Sequence, residues 1–512
     1  MEELKKIQTA FISVYKKENI SELVQTLNTL NVKIISTGGT QKYIKDLGID
    51  VFPVEELTAF PSILGGRVKT LHPKVFGGIL NRRKNLNDLE EIKKFNISNI
   101  DMVIVDLYPF EETSENHNST DQDIIEKIDI GGVSLIRAAA KNFNDVFIVP
   151  STNLFSKATG ILKNNSGKTT IKTRKIFAKK AFQLCSKYDS IIYNWFNESI
   201  DNDSKSINLN FSNYRTLRYG ENPHQKGGFY GDIDSIFKQI HGKEISYNNL
   251  LDIDSAINLI SDFNSNTFCV LKHNNPCGVA SRKTISECWD KALAADPISA
   301  FGGVLISNTE INIDTAKKIN ELFFEIIIAP KYNIESLKVL KSKKNRIILK
   351  LNNNCIIPNI SYRSVLNGIL SQEKDVSIDS EEILEKITKL KPTNTQLEDL
   401  LFASKICKHT KSNAIVLVKN KQLIGIGCGQ TSRIDALKQA ILKAESFGFN
   451  LNNSVMASDA FFPFPDCVKI AYQKGIKAVI QPGGSINDKL SIDFCNENNM
   501  SMVLTKIRHF KH

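Results

Sequence analysis

Lys33-Ile-Ile-Ser-Thr-Gly-Gly-Thr-Gln-Lys-Tyr-Ile-Lys-Asp-Leu47 reads as a short buried strand, Lys33 to Ser36, then a glycine turn and an amphipathic helix over Thr40 to Leu47. Upstream, Thr9 to Val14 predicts a strand and Ile20 to Leu30 a helix. The order is therefore βαβα, which calls for a parallel sheet with right-handed crossovers. Between strand and helix, Ser36, Thr37, Gly38, Gly39 and Thr40 place small residues, backbone N–H groups and hydroxyls at a helix start. Such a turn cradles phosphate; the plainer alternative is a tight turn with Thr40 as N-cap.

Working outward, Leu64-Gly-Gly-Arg-Val-Lys-Thr-Leu-His-Pro73 alternates Arg67 and Lys69 around Val68. On an extended segment both cations point the same way, beside a Gly-Gly turn suited to an anion. Asp101 to Val105 predicts another buried strand, after which Tyr108 offers a hydroxyl at the sheet edge, and Glu111 to Asp123 reads as a surface loop. Ile128-Asp-Ile-Gly-Gly-Val-Ser-Leu-Ile-Arg-Ala-Ala-Ala-Lys-Asn142 predicts a strand end, a glycine turn and a helix with Arg137 and Lys141 on one face. Asp129 is there either a base or a helix cap. Lys172 to Phe196 has the pattern of a long amphipathic helix with Tyr188, Ile192 and Trp195 on its apolar side, and the polar stretch Asn197 to Asn210 marks a boundary.

Beyond it, Leu217-Arg-Tyr-Gly-Glu-Asn-Pro-His-Gln225 supplies Arg218 as a phosphate fork, Tyr219 as a stacking ring and His224 as an imidazole. Tyr247-Asn-Asn-Leu-Leu-Asp252 follows. In Val270-Leu-Lys-His-Asn-Asn-Pro-Cys-Gly-Val-Ala280, Lys272 and His273 lie between an apolar strand and a Pro/Gly turn. A strand end is where α/β proteins place chemistry; an ammonium and an imidazole there suit an oxyanion and a proton transfer. Asp296 to Gly303 and Ser458 to Asp466 each set an Asp near exposed Phe. Gly425 to Arg433 and Ile480 to Ser485 are glycine turns without the acidic ribose ligand of a dinucleotide site. The stretches around 270 to 303 and 413 to 485 look like a distant internal duplication.

The 512 residues imply several domains. Hydrophobic residues at 41% and charged residues at 24% fit a soluble globular protein. No apolar run is long enough for a membrane span, and the start lacks a signal-peptide core, so the expected location is the cytoplasm. Nine scattered cysteines without Cys-x-x-Cys argue against disulfides and zinc, so no metal is expected. The net charge of +11 fits an anionic small-molecule substrate; without a basic tail or aromatic/basic interleaving it does not call for nucleic acid.

These motifs, in this order, resemble the bifunctional purine-biosynthesis family that joins AICAR transformylase to IMP cyclohydrolase. Ser-Thr-Gly-Gly-Thr, Gly-Gly-Arg-Val-Lys-Thr-Leu-His-Pro, Leu-Tyr-Pro-Phe and Asp-Ile-Gly-Gly-Val-Ser-Leu-Ile-Arg-Ala-Ala-Ala-Lys-Asn carry the likeness in the first two hundred residues. Leu-Arg-Tyr-Gly-x-Asn-Pro-His-Gln, Lys-His-x-x-Pro-x-Gly, Ser-Asp-Ala-Phe-Phe-Pro-Phe and the ending Arg-x-Phe-x-His carry it in the rest. Tyr15 stands where the family has a small hydroxyl residue, and Leu504-Thr-Lys-Ile507 departs from its usual Thr-Gly-Met. The resemblance implies an α/β protein: a methylglyoxal-synthase-like parallel-sheet domain at 1–199, a linker at 200–211, and a larger domain at 212–512 of two cytidine-deaminase-like subdomains without zinc. It also implies a homodimer, and 10-formyltetrahydrofolate as cosubstrate.

On that resemblance AICAR is formylated to FAICAR, with His273 taking the amine proton and Lys272 stabilising the oxyanion. Arg218, Tyr219 and Arg508 hold the nucleotide, His224, Asn413 and Arg433 lie near the reacting groups, and Phe301 and Phe461 face planar rings. FAICAR then closes to IMP, with Lys69 on the formyl oxygen, Asp129 and Lys141 moving protons, and Tyr108 assisting. Lys17, Ser36, Thr37, Gly38 and Gly39 take the 5′-phosphate, with Arg67 nearby. Two rival expectations are a nucleotide-binding regulatory module without turnover, which leaves the second half unexplained, and an RNA-binding protein, which predicts steeply salt-dependent binding.

Overall fold

The computed structural model describes residues 4–199, 206–209, 211, 213–352 and 358–512. The chain divides into two compact units, Met1–Ser212 and Asn213–His512. The linker expected at 200–211 falls largely outside the described residues; 206–209 and 211 have no regular structure.

In the first unit five parallel strands run in the order Phe52–Pro53, Lys33–Ser36, Thr9–Ser13, Met102–Val105, Phe147–Val149. Helices cover both faces, so the central strands read as unbroken apolar runs: Phe11, Ile12, Ile104 and Phe147 are fully buried. Ile12 is in register with Ser36 and Ser13 with Val105, so the carboxyl ends of three strands finish on one rim. That rim carries the site.

Several local expectations change. The helix after the second strand begins at Gly38, not Thr40, because Thr37 is still extended and Gly38 takes the positive φ of 34° that turns the chain. Residues 110–125 hold two short helices, Phe110–Ser114 and Asp121–Ile125, where a loop was expected. No strand precedes Asp129; the helix Gly131–Lys141 follows directly. The expected long helix spans Ile171–Ser199.

The second unit contains two six-stranded mixed sheets of one design. The first runs Phe237–His241, Ile347–Leu351, Ile326–Ala329, Val304–Ser307, Thr267–Lys272, Asn275–Ser281. The second runs Glu385–Lys386, Ser501–Leu504, Ala478–Gln481, Val455–Ser458, Ile415–Val418, Leu423–Gly427. Neighbour by neighbour both are antiparallel, parallel, parallel, antiparallel, antiparallel. Helices between the sheets merge them into one core that includes Leu271, Ile306, Leu400, Val416 and Ile480. Corresponding glycines on the two edge strands allow a close helix approach: a Cβ at Gly278 would overlap the Ala292 carbonyl, and one at Gly425 the Ala440 carbonyl.

Candidate functional site

The rim of the parallel sheet opens into a cavity of about 690 Å³ lined by Lys17, Thr37, Gly39, Arg67, Lys69, Tyr108 and Asp129. Lys17 Nζ folds back to the Tyr15 carbonyl at 2.9 Å and lies over Gly39. The Thr37 hydroxyl meets Ser13 Oγ at 3.1 Å. A cation, a hydroxyl and backbone N–H groups at a helix start thus converge on a space that fits phosphate. Ser36 and Gly38 contribute differently: the buried Ser36 hydroxyl donates to the Ile12 carbonyl at 2.8 Å, and Gly38 supplies the turn.

Across the cavity stands Asp129, whose side chain bonds the start of the helix Gly131–Lys141, as the capping alternative expects. Its Oδ1 accepts the Gly132 N–H at 2.6 Å, and its own N–H donates to the Tyr188 hydroxyl at 2.7 Å. Burial raises its pKa, against the pull of the Gly132 and Tyr108 amides and of the Lys69 ammonium. Tyr108 is pushed up by burial and by Asp129. Lys69, Asp129 and Tyr108 therefore line one cavity as three titratable groups.

The extended presentation expected of Arg67 and Lys69 is overturned. Leu64–Gly66 is a turn of 3₁₀ helix, Gly65 and Gly66 have φ of 66° and 91°, and Arg67 is itself helical. Arg67 pairs with Glu126, which also lines the cavity, while Lys69 stays half-buried. Lys141 does not line the cavity. It is the last residue of the helix that starts beside Asp129, about 15 Å along the axis. There it joins Arg137, Phe76, Leu80, Phe143 and Phe182 around a separate, mainly apolar groove of about 660 Å³.

Sequence reasoning missed Asp106, buried at the rim and accepting the Tyr15 and Lys16 backbone N–H groups. Its position directly after the strand Met102–Val105 was the available signal. Tyr15 lines the cavity too, edge-on to Tyr108 with centroids 5.5 Å apart.

In the second unit Lys272 and His273 do end a strand, but the Pro/Gly turn expected after them is absent. The turn is His273-Asn274 itself, with φ of 51° and 64°, flanked by the pair Lys272 and Asn275, as a two-residue type I′ hairpin requires. Pro276 and Gly278 belong to the returning strand, at the sheet edge where a missing N–H is tolerated. Lys272 Nζ donates to the Phe301 carbonyl at 2.5 Å. The Phe301 ring is exposed and leans on Phe323 at 5.0 Å.

The Asn275 side chain accepts the Lys411 N–H at 3.0 Å and so joins this hairpin to the segment carrying Asn413. Arg433 Nη2 donates to Asn413 Oδ1 and Asp459 Oδ1, both at 2.9 Å, and Nη1 to the Phe461 carbonyl at 3.2 Å. The C-terminal segment returns here. The His509 N–H donates to the Asp459 carbonyl at 3.1 Å, and its buried ring lies 2.6 Å from Asp375 and 3.6 Å from Asp379. Burial alone would lower the His509 pKa; the two carboxylates raise it to about 9.

Arg218 donates to the Tyr219 hydroxyl at 2.7 Å, His224 is exposed, and Arg508 covers the Phe510 ring at 4.4 Å. No hydrogen bond among the described residues joins these four to the Lys272 or Arg433 clusters. Among the described residues no group of three or more His, Cys, Asp or Glu could hold a metal ion, and no helix is long and apolar enough to cross a membrane. The eight described cysteines are free.

Residues 139–443 match the family model AICARFT/IMPCHase bienzyme, and residues 19–134 the MGS-like domain. The chain is 55% identical over 512 residues to the bifunctional purine biosynthesis protein PurH of Bacteroides thetaiotaomicron, covering 100% of both. The proteins of that name from Acetivibrio thermocellus and Aquifex aeolicus are 45% and 47% identical, over 99% and 98% of this chain and 100% of each relative. A family model that takes in more than half of the residues, and relatives alike from end to end, lead to one conclusion: the chain belongs to the AICARFT/IMPCHase bienzyme family.

Proposed function

We propose that the family's two reactions, AICAR formyl transfer and IMP ring closure, run on this chain in two separate sites, in the cytoplasm and with 10-formyltetrahydrofolate as formyl donor. In the Asn213–His512 unit the AICAR amine attacks the formyl carbon, and His273 takes the amine proton. Lys272, held by the Phe301 carbonyl, faces the oxyanion, and the bond to the folate nitrogen then breaks as that nitrogen regains a proton. Arg433, Asn413, His224, Arg218, Tyr219 and Arg508 surround the substrates, with the Phe301 and Phe461 rings for planar groups.

In the Met1–Ser212 unit the FAICAR carboxamide nitrogen attacks its own formyl carbon and water leaves. Asp129 receives the amide proton and passes it to the formyl oxygen; Lys69 polarises that oxygen and supplies the second proton with which it leaves as water, regaining one from the formamide nitrogen as the ring C=N bond forms, and Tyr108 assists. Because the step is intramolecular, holding the ribotide phosphate at Lys17, Thr37 and Gly39 contributes much of the rate. The observation that carries this reading is the cavity in which phosphate ligands stand opposite the Lys69, Asp129 and Tyr108 cluster. The apolar groove around Phe76, Leu80 and Phe182 supports a homodimer, which sedimentation tests.

Purified chain mixed with AICAR and 10-formyltetrahydrofolate should yield IMP. Lys272→Ala should lose transformylation yet still cyclise preformed FAICAR. Full transformylation by that variant would overturn the role given to Lys272.

A further inference from the structure

We infer that Asp252 is a positioning residue for formyl transfer, holding the His273-Asn274 turn in its left-handed form. The inference rests on the reading of His273 given above. Its evidence is independent, because the second unit contains the same device twice.

Asp252 lies on the helix Tyr247–Ser261 and accepts the Asn274 N–H at 2.7 Å. Asp399 lies on the helix Asn394–Lys408, as far from Asn394 as Asp252 is from Tyr247, and accepts the Asn420 and Lys421 N–H groups at 2.7 and 2.6 Å. Both helices open with a capping box, Ser246 with Asn249 and Thr393 with Gln396. Asn420 and Lys421 have φ of 53° and 51° and join the first hairpin of the second sheet. Lys272-His273-Asn274-Asn275 thus corresponds to Lys419-Asn420-Lys421-Gln422, and a helix-borne Asp braces each turn.

The two copies differ where chemistry would require it. Asp399 gives one oxygen to each turn amide, so its charge is spent on backbone. Asp252 bonds only the Asn274 N–H; its second oxygen makes no hydrogen bond among the described residues. Where the bare frame has Asn420, the first copy has His273, a residue with a larger cost for positive φ than asparagine. Asp252 offsets that cost through the Asn274 N–H.

The charged groups around Asp252 are His273 and Lys272 on the hairpin and Glu325 on the neighbouring segment, with Lys243 3.6 Å from Glu325. Burial raises the Asp252 pKa, while His273 and Lys272 pull it down.

The test uses the full chain. Asp252→Ala removes the acceptor of the Asn274 N–H, and Asp252→Asn keeps one. Transformylase kcat is expected to fall about tenfold in Asp252→Ala, the scale of one lost charge-assisted hydrogen bond, with KM for AICAR within twofold, and to recover at least threefold in Asp252→Asn. Cyclisation of FAICAR should be unchanged. Wild-type kcat in Asp252→Ala, or no recovery in Asp252→Asn, overturns the inference. If calorimetry shows that Asp252→Ala no longer binds AICAR, Asp252→Glu takes its place. It should lose at least threefold in kcat; wild-type kcat there is equally fatal. His273→Ala, assayed in parallel, separates the two levels: activity retained in it refutes the reading of His273, whereas an inactive His273→Ala beside a normal Asp252→Ala refutes only the inference.

Discussion

Replacing Arg433 by methionine removes three hydrogen bonds and the counter-charge of a carboxylate that has no other escape. The Asp459 side chain is 0% exposed and that of Arg433 11%. Asp459 Oδ2 has no hydrogen-bond partner, so the guanidinium at 2.9 Å is what balances this charge. Breaking a buried pair from one side costs about 3–5 kcal/mol, because the survivor is left desolvated and alone. Lost bonds to Asn413 and the Phe461 carbonyl act in the same direction. Urea unfolding followed by Trp289 fluorescence measures this, since Trp289 is 1% exposed inside the second unit; a Trp195→Phe background removes the other tryptophan's signal. Arg433→Met should lose about 3–5 kcal/mol, and adding Asp459→Asn should restore at least half, because no charge is then stranded. A loss under about 1 kcal/mol for the single variant, or no recovery in the double, would refute the argument that the pair is a desolvated unit.

Two further outcomes follow from titration. Asp129 has a raised pKa in the folded protein, so folding favours its protonated form and its ionisation weakens the fold as pH rises through that value. Asp129→Asn should therefore abolish FAICAR cyclisation while leaving the first unit at least as stable at pH 7, checked by thermal unfolding; a large destabilisation would mean that capping outweighs desolvation. His509 shows the opposite sign: its pKa is raised to about 9, so its contribution is fully present below about 6.5 and is lost as pH rises through about 9. Wild-type stability of the second unit should fall across that window, and His509→Gln should flatten the fall; equal slopes would refute the ion cluster with Asp375 and Asp379.

What could be read from the sequence was set by locality. The strand Lys33–Ser36 and its glycine turn are local patterns, and the proposed phosphate cradle follows from them. The pair Lys272-His273 was legible as a strand end, but its hairpin was not, because Pro276 and Gly278 advertise a turn that the edge position makes unnecessary. His273 at positive φ depends on Asp252, distant in sequence, and no periodicity reports such a brace. Within one chain Asp129 and Lys141 are not brought together, for a geometric reason: an α-helix between them carries one away from the other. Asp106 escaped notice, and Asp459 was legible only as an Asp near exposed Phe, because an acid's significance lies in what surrounds it after folding.

The cysteines carry a consequence of their own. Seven of the eight described are buried, among them Cys185 in the first unit, Cys269, Cys277 and Cys288 in the first repeat, and Cys407, Cys467 and Cys495 in the second. Burial pushes these thiols up, that of Cys185 to about 11 and those of Cys277 and Cys467 to about 12, which keeps them from reacting until the surrounding layer opens. The protein is therefore supplied with built-in clocks for local opening: alkylation rates read thiol by thiol would tell which layer loosens first, and whether the twin sheets melt together or one after the other.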